Sequence, residues 1–132
     1  SLKIYQFVSK KWLLPLGNHR KKFRWMYRSD SIFSCDSKNN FAEIEYCIGS
    51  DFQCKGYATE ATKAVIQYGF DKINLHKVQI CTKTINKPSK RVIEKCGFTY
   101  EGTLRDYFYM DGEYVGRLYF SMLKSEFESK QN

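Results

Sequence analysis

The chain has 132 residues, 42% of them apolar and 17% aromatic, which is enough core-forming material for one globular domain without metal or disulfide staples and too much for a disordered chain. Twenty-two Lys and Arg against fourteen Asp and Glu leave a net charge of +8, so the protein's field attracts anions such as phosphorylated cofactors, RNA or acidic surfaces. Five cysteines (Cys35, Cys47, Cys54, Cys81, Cys96) without a C-x-x-C pair, and only His19 and His76 as histidines, argue against a zinc site or a disulfide framework; with no apolar run of roughly 20 residues and no signal-peptide pattern, the expectation is a cytoplasmic protein that does not span a membrane.

Residues 1–40 read poorly. "KKWLLPLGNHRKKFRWMYRSD" mixes aromatics with a basic cluster, and one or two strands are expected there. "SKNN" is turn chemistry, and "FAEIEYCIG" after it alternates Phe41, Glu43, Glu45 and Cys47 with Ala42, Ile44, Tyr46 and Ile48, the period of a strand. "QCKGYATEA" (Gln53 to Ala61) follows. Gly56 and Ala58 are small where backbone approaches a ligand, and they open a helix whose unpaired N–H groups carry partial positive charge, an arrangement suited to a phosphate. Neither G-x-x-x-x-G-K-[ST] nor G-x-G-x-x-G occurs, so the two common phosphate loops are excluded.

From Ala58 to about Asn74, Ala61, Val65, Tyr68 and Ile66, Phe70, Ile73 recur at spacings of three and four, a broad apolar helix face. "KVQICTKTI" (Lys77 to Ile85) is a strand rich in β-branched residues. Strand, helix and strand make a βαβ unit, whose two strands run parallel. Asn86 caps a short helix with Pro88 in its first turn, Val92, Ile93 and Cys96 inward, and Gly97 at its end. A further strand starts at Phe98. "MDGE" places Asp111-Gly112 between two aromatic-rich runs, a hairpin signal, and "SEFESKQN" reads as a polar tail. No repeat or linker divides the chain, so residues 1–132 are expected to form a single domain of α/β (α+β) class.

In this order and spacing, "AEIEYCIG", "QCKGYATEA", "NKPSKRVIEKCGF", "EGTLRD" and the closing hairpin resemble the GNAT superfamily of acetyltransferases over about Phe41 to Leu123, and in particular the branch similar to the RimJ and RimL ribosomal-protein N-terminal acetyltransferases. The resemblance implies a mixed, twisted central sheet with the βαβ unit at the cofactor site, and acetyl-CoA as acetyl donor without a metal. Backbone N–H groups of Gln53, Cys54, Lys55, Gly56, Tyr57, Ala58 and Thr59 would cradle the pyrophosphate, with Lys55 adding charge. Asn86 and Ser89, matching the family's N-x-x-S, would lie along the pantetheine arm. The edge around Tyr46, Cys47 and Ile48 would pair with pantetheine amides where the parallel strands splay.

The chemistry implied is direct attack of a neutral primary amine on the thioester, without an acyl-enzyme. Glu43 matches the family's "AEIGY" and Glu45 occupies its Gly position; both are candidate carboxylates for removing the amine proton through water, against the plainer reading of a solvated strand face or salt bridges to lysines. Ser89 is the candidate donor to the departing thiolate, because the tyrosine of many relatives is Ile93 here; Tyr107 and Tyr109 are alternatives. Cys54 as an acyl carrier lacks a paired histidine. The family's Asp near Val115 or Gly116 is missing, and residues 1–40 do not match the strand and two helices with which members usually begin, so this front is expected to be truncated or divergent. The branch points to a protein N-terminal α-amine as acceptor, with polyamines or aminoglycosides as the alternative. Two readings of another kind are a basic RNA-binding module, resting on Lys10, Lys11, Arg20, Lys21, Lys22, Arg24 and Arg28 interleaved with Trp12, Phe23, Trp25 and Tyr27 and compatible with ribosome contact, and a catalytically silent CoA-binding protein. Exposed aromatic strands make a homodimer a further expectation.

Overall fold

The period-two alternation of the strand sequences becomes one mixed sheet. The computed structural model describes residues 13–16, 20–26, 30–36, 38–47 and 57–131, with side chains described at 36, 38–45, 59 and 62–130. Its seven strands are β1 (Leu13–Leu16), β2 (Arg20–Met26), β3 (Asp30–Asp36), β4 (Phe41–Cys47), β5 (Lys77–Lys83), β6 (Thr99–Met110) and β7 (Glu113–Leu123). They lie in the order β1-β2-β3-β4-β5-β7-β6. Only β4 and β5 pair in parallel, as the βαβ reading requires.

Three antiparallel strands precede residue 41, where one or two were expected. In "RKKFRWM" basic residues fall on both parities, Arg20, Lys22 and Arg24 on one and Lys21 on the other, which blurs the alternation that Phe23 and Trp25 would otherwise display. The turn into β4 is set by Asp36, whose Oδ1 accepts from the N–H groups of Lys38 and Asn39 at 3.1 Å each, and by Asn40 at φ 58°.

Helix α1 (Tyr57–Asp71) buries Thr62, Ala64, Val65, Ile66 and Phe70. It ends three residues before the expected Asn74, which adopts φ 59° and turns the chain so that Leu75 enters the core. Helix α2 (Lys87–Lys95) starts as expected: the Asn86 side chain accepts from Ser89 N–H at 3.2 Å, Pro88 sits in the first turn, and Gly97 at φ 86° ends it. Asp111 and Gly112 both have positive φ, 51° and 82°, the signature of a type I′ hairpin between β6 and β7.

The expected polar tail is a third helix, α3 (Lys124–Gln131). Its polarity hid one anchor and one cap. Phe127 stacks on Phe70 with ring centroids 4.9 Å apart, and Glu126 Oε1 accepts from Leu123 N–H at 2.9 Å. The three described helices gather on one face of the sheet, where Ala42, Ile44, Val78, Ile80, Leu118, Phe120 and Met122 meet α1 and α2 in a single buried cluster. Among the described residues no helix is long and apolar enough to cross a membrane.

Candidate functional site

The parallel ladder between β4 and β5 stops short of both strands. Its rungs run from Phe41↔Lys77 to Glu45↔Cys81. Beyond that point Tyr46 and Cys47 remain paired to β3, and Thr82 and Lys83 to β7, but not to each other. Beyond the last rung the two strands no longer pair, and because successive residues of a strand direct their backbone groups to opposite edges, one of Tyr46 and Cys47 turns its N–H and C=O toward the gap. The family resemblance implies a splay at this place.

Beside the gap, α2 presents its first turn. Asn86 is used as the cap, and Ser89 is fully buried. The Ser89 Oγ and the neighbouring strand's Thr82 Oγ1 are both buried without a hydrogen-bond partner among the described residues. Two orphaned hydroxyls next to unpaired backbone suit a ligand rich in amide and carbonyl groups, because a buried hydroxyl left unmade is costly. The residues present therefore fit the amide-bearing arm of a thioester cofactor.

On the sheet face opposite the helices, the strand register lines up Glu43 with Gln79 and Ser121, and Glu45 with Cys81 and Tyr119. Glu43 is occupied: its Oε1 pairs with the Arg117 guanidinium at 2.7 Å and its Oε2 accepts from Gln79 Nε2 at 3.1 Å. The salt bridge of the plainer reading exists, but its partner is Arg117 rather than a lysine. Glu45 makes no hydrogen bond or ion pair to another described residue and is half-exposed.

Arg117 also donates to Cys81 Sγ at 2.7 Å, and the thiol in turn faces Glu43 Oε1 at 3.5 Å and the Ile44 carbonyl at 3.7 Å. Burial pushes the Cys81 thiol up to about 12, against the pull of Arg117. Burial likewise holds the Tyr119 phenol above its ordinary range, again opposed by Arg117. The guanidinium sits among the rings of Tyr107 at 4.7 Å, Tyr119 at 5.1 Å and Phe108 at 5.8 Å. Tyr107 reaches it because β6 bulges between Leu104 and Phe108, with Asp106 at φ 50°.

The resemblance implies an acidic residue near Val115 or Gly116. A Cβ on Gly116 would stand 2.9 Å from Thr84 Cγ2 and 3.2 Å from the Leu104 carbonyl. A side chain at Gly116 would therefore require Thr84 or β6 to shift. Tyr109, the other alternative donor, pairs with Tyr114 near the hairpin tip at 5.1 Å and is 67% exposed. Ile93 is wholly buried in the core.

Of the residues singled out in the sequence, Glu43 stands on the middle rung and Glu45 on the last rung of the β4–β5 ladder, on the face opposite the helices, while Asn86 and Ser89 stand at the start of α2. Tyr46 and Cys47 border the gap through their backbone. Tyr57 and Ala58 open α1, and Thr59 follows half-buried in its first turn. Ile48, Gln53, Cys54, Lys55 and Gly56 lie outside the described residues, as do the side chains of the basic and aromatic segment before residue 36. Sequence reasoning missed Arg117, Gln79 and Cys81. The signal for Arg117 was present: a lone charge at alternating spacing inside the apolar run "VGRLYFSML" marks a paired, buried cation. Among the described residues no group of three His, Cys, Asp or Glu stands close enough to hold a metal ion.

The profile of the acetyltransferase (GNAT) domain matches residues 7–99. A Bacillus subtilis protein named "Putative ribosomal N-acetyltransferase YdaF" is 38% identical over 101 residues, covering 76% of this chain and 55% of that protein. The spermidine N(1)-acetyltransferase of Escherichia coli is 36% identical over 73 residues, 55% of this chain and 39% of that protein. A crystal structure described as a probable acetyltransferase matches with a TM-score of 0.68 at 34% identity, covering 82% of this chain and 64% of that one. The chain spans about half the length of the curated relatives it matches.

Proposed function

The chain belongs to the GNAT acetyltransferase family, and on that premise we propose that it binds acetyl-CoA and passes the acetyl group to a primary amine. The observation that carries this reading is the parting of β4 and β5 beyond Glu45↔Cys81, with unpaired backbone on one side and the orphaned Ser89 hydroxyl on the other. When bound, acetyl-CoA supplies an activated acetyl thioester. Tyr46, Cys47 and Ile48 would pair with its pantetheine amides through their backbone, Asn86 and Ser89 would line the same arm, and the turn from Gln53 to Thr59 would take the pyrophosphate at the start of α1.

Glu45 is the carboxylate proposed to relieve the acceptor amine of its proton through water. It is unpaired, half-exposed and placed on the last rung before the gap. Glu43 is held by Arg117 and Gln79 and serves as a fixed part of the wall. Ser89 Oγ offers a buried O–H donor with no competing acceptor.

For the acceptor, the α-amine of a protein N-terminus is the preferred reading. Along this face Glu43 and Glu45 are matched by Arg117 and Lys83, so the described wall offers no excess of negative charge for a polycation. A polyamine or another small amine is the second reading, favoured by the spermidine acetyltransferase among the relatives. Contact of the basic segment with RNA or a ribosome would assist docking on the first reading.

Calorimetric titration with acetyl-CoA tests the core of the proposal. Saturable binding by the parent that Gly56→Glu abolishes is the expected result; no binding by a folded parent overturns it. Turnover on short peptides with free N-termini against turnover on spermidine then decides the acceptor. Glu45→Gln should keep acetyl-CoA affinity and lose about a hundredfold in kcat; binding without turnover by the parent on every amine would favour the silent CoA-binding reading.

A further inference from the structure

A second cavity, of about 500 Å3, lies among the three helices. Ile66, Met122 and Phe127 give it an apolar floor, and each helix contributes one lysine: Lys63 from α1, Lys95 from α2 and Lys130 from α3. No carboxylate is among the described residues that line it. Glu94 on α2 is engaged by Lys90 at 3.9 Å, and Glu126 on α3 accepts from the Leu123 N–H. None of the three lysines has an ion-pair partner among the described residues. Lys130 Nζ instead donates to the Gly97 carbonyl at 2.6 Å, at the negative end of α2. Burial pushes the Cys96 thiol in the cavity wall up to about 11, and the charges of Lys63 and Lys130 pull the other way.

This cavity is separate from the gap between β4 and β5. Met122 pairs with Val78, and the ladder opens only beyond Cys81, roughly 10 Å further along β5 at the rise of a strand. Lys95 closes α2, whereas Asn86 and Ser89 stand at its start, roughly 9 to 14 Å away along the helix axis at about 1.5 Å per residue.

Three lysines without acidic partners among the described residues line one cavity over an apolar floor, so an anion would find positive charge at its rim while an apolar body filled the floor. The volume lies in the range of small-molecule sites. We propose that this cavity binds a small amphipathic anion, an apolar body carrying a phosphate or carboxylate, at a site distinct from the acetyl-transfer site.

The test is displacement of the fluorescent anion 8-anilinonaphthalene-1-sulfonate from the full chain by octyl phosphate, octanoate, octanol and inorganic phosphate. Octyl phosphate or octanoate should displace it where octanol and inorganic phosphate at equal concentration do not, and the tighter of the two identifies the head group. Lys63→Glu alters an exposed side chain and should leave the melting temperature unchanged, whereas Lys130→Gln also takes the ammonium from the Gly97 carbonyl, so its melting temperature is read alongside. Lys63→Glu should weaken displacement by the amphiphile roughly tenfold, and Lys130→Gln by less. Equal affinity in parent and variants, or displacement by octanol as effective as by octyl phosphate, overturns the proposal. So does competition by acetyl-CoA with a matching loss of acetyl-CoA affinity in Lys63→Glu, which would make the cavity the nucleotide end of the cofactor site.

Discussion

The two faces of β4, β5 and β7 share one backbone and one register, yet they behave as different materials. Toward the helices, Ala42, Ile44, Val78, Ile80, Leu118, Phe120 and Met122 are all buried and apolar. On the reverse, the same strands present Glu43, Gln79, Cys81 and Arg117, joined by hydrogen bonds and a salt bridge, with Tyr119 stacked beside the guanidinium and Glu45 next to them. A one-residue slip would exchange the faces, so the apolar set fixes where the polar set stands. Stability and chemistry are thus written on alternate residues, and the comparison predicts that they respond differently to substitution.

The largest effect belongs to the apolar face. Ile80 is fully buried between strand and helix, and Ile80→Ala should cost about 3 kcal/mol of unfolding free energy, read from urea denaturation. A loss below about 1 kcal/mol would mean that this face is loosely packed. On the reverse face, Arg117→Met leaves Glu43 without its cation and should cost about 2 kcal/mol, while Glu43→Gln/Arg117→Met together should cost less than Arg117→Met alone. Strict additivity in that cycle would show that the 2.7 Å pair contributes nothing in solution.

The same division decides what was legible beforehand. Where one face is apolar and the other charged, as in Phe41–Cys47, or where a helix repeats apolar residues at three and four, the element and its buried side could be read directly. Asn86, Pro88 and Gly97 announced both ends of α2, and Asp111-Gly112 announced the hairpin, because each is a local backbone requirement. What escaped depends on distant partners. The β2 strand is supported by ladders on both sides rather than by its own pattern, and α3 is held by the Phe127–Phe70 ring contact, the Glu126 cap and Lys130 on the Gly97 carbonyl. Of the candidate site, Glu43, Glu45 and Ser89 were proposed from their positions in the motifs, but the pairing of Glu43 with Arg117, 74 residues away along the chain, could not be read there.

The buried thiols sharpen the contrast through pH. Cys81 lies on the polar face and Cys96 among the helices, and folding holds the proton on each more tightly than the ordinary value of 9.0. Above pH 9 the unfolded chain therefore carries fewer thiol protons than the folded one, and stability falls as pH rises. Each thiol should contribute about 1.4 kcal/mol per pH unit. The decline runs to about 11 for Cys96 and about 12 for Cys81. Denaturation midpoints between pH 8.5 and 10.5 should fall less steeply in Cys81→Ala and in Cys96→Ala than in the parent. A Cys81→Ala profile parallel to the parent's would show that water reaches that thiol.

The smallest effect separates structure from binding at one residue. Asn86 caps α2 by accepting from Ser89 N–H, so Asn86→Ala should cost about 1 kcal/mol in thermal or urea unfolding, and Asn86→Ser, which keeps a capping oxygen, a few tenths. If the residue served only as a cap, Asn86→Ser would bind acetyl-CoA as the parent does. A variant that melts like the parent but binds acetyl-CoA more weakly would assign the Asn86 amide to the cofactor as well as to the helix, because its N–H2 group is the one feature that serine cannot replace.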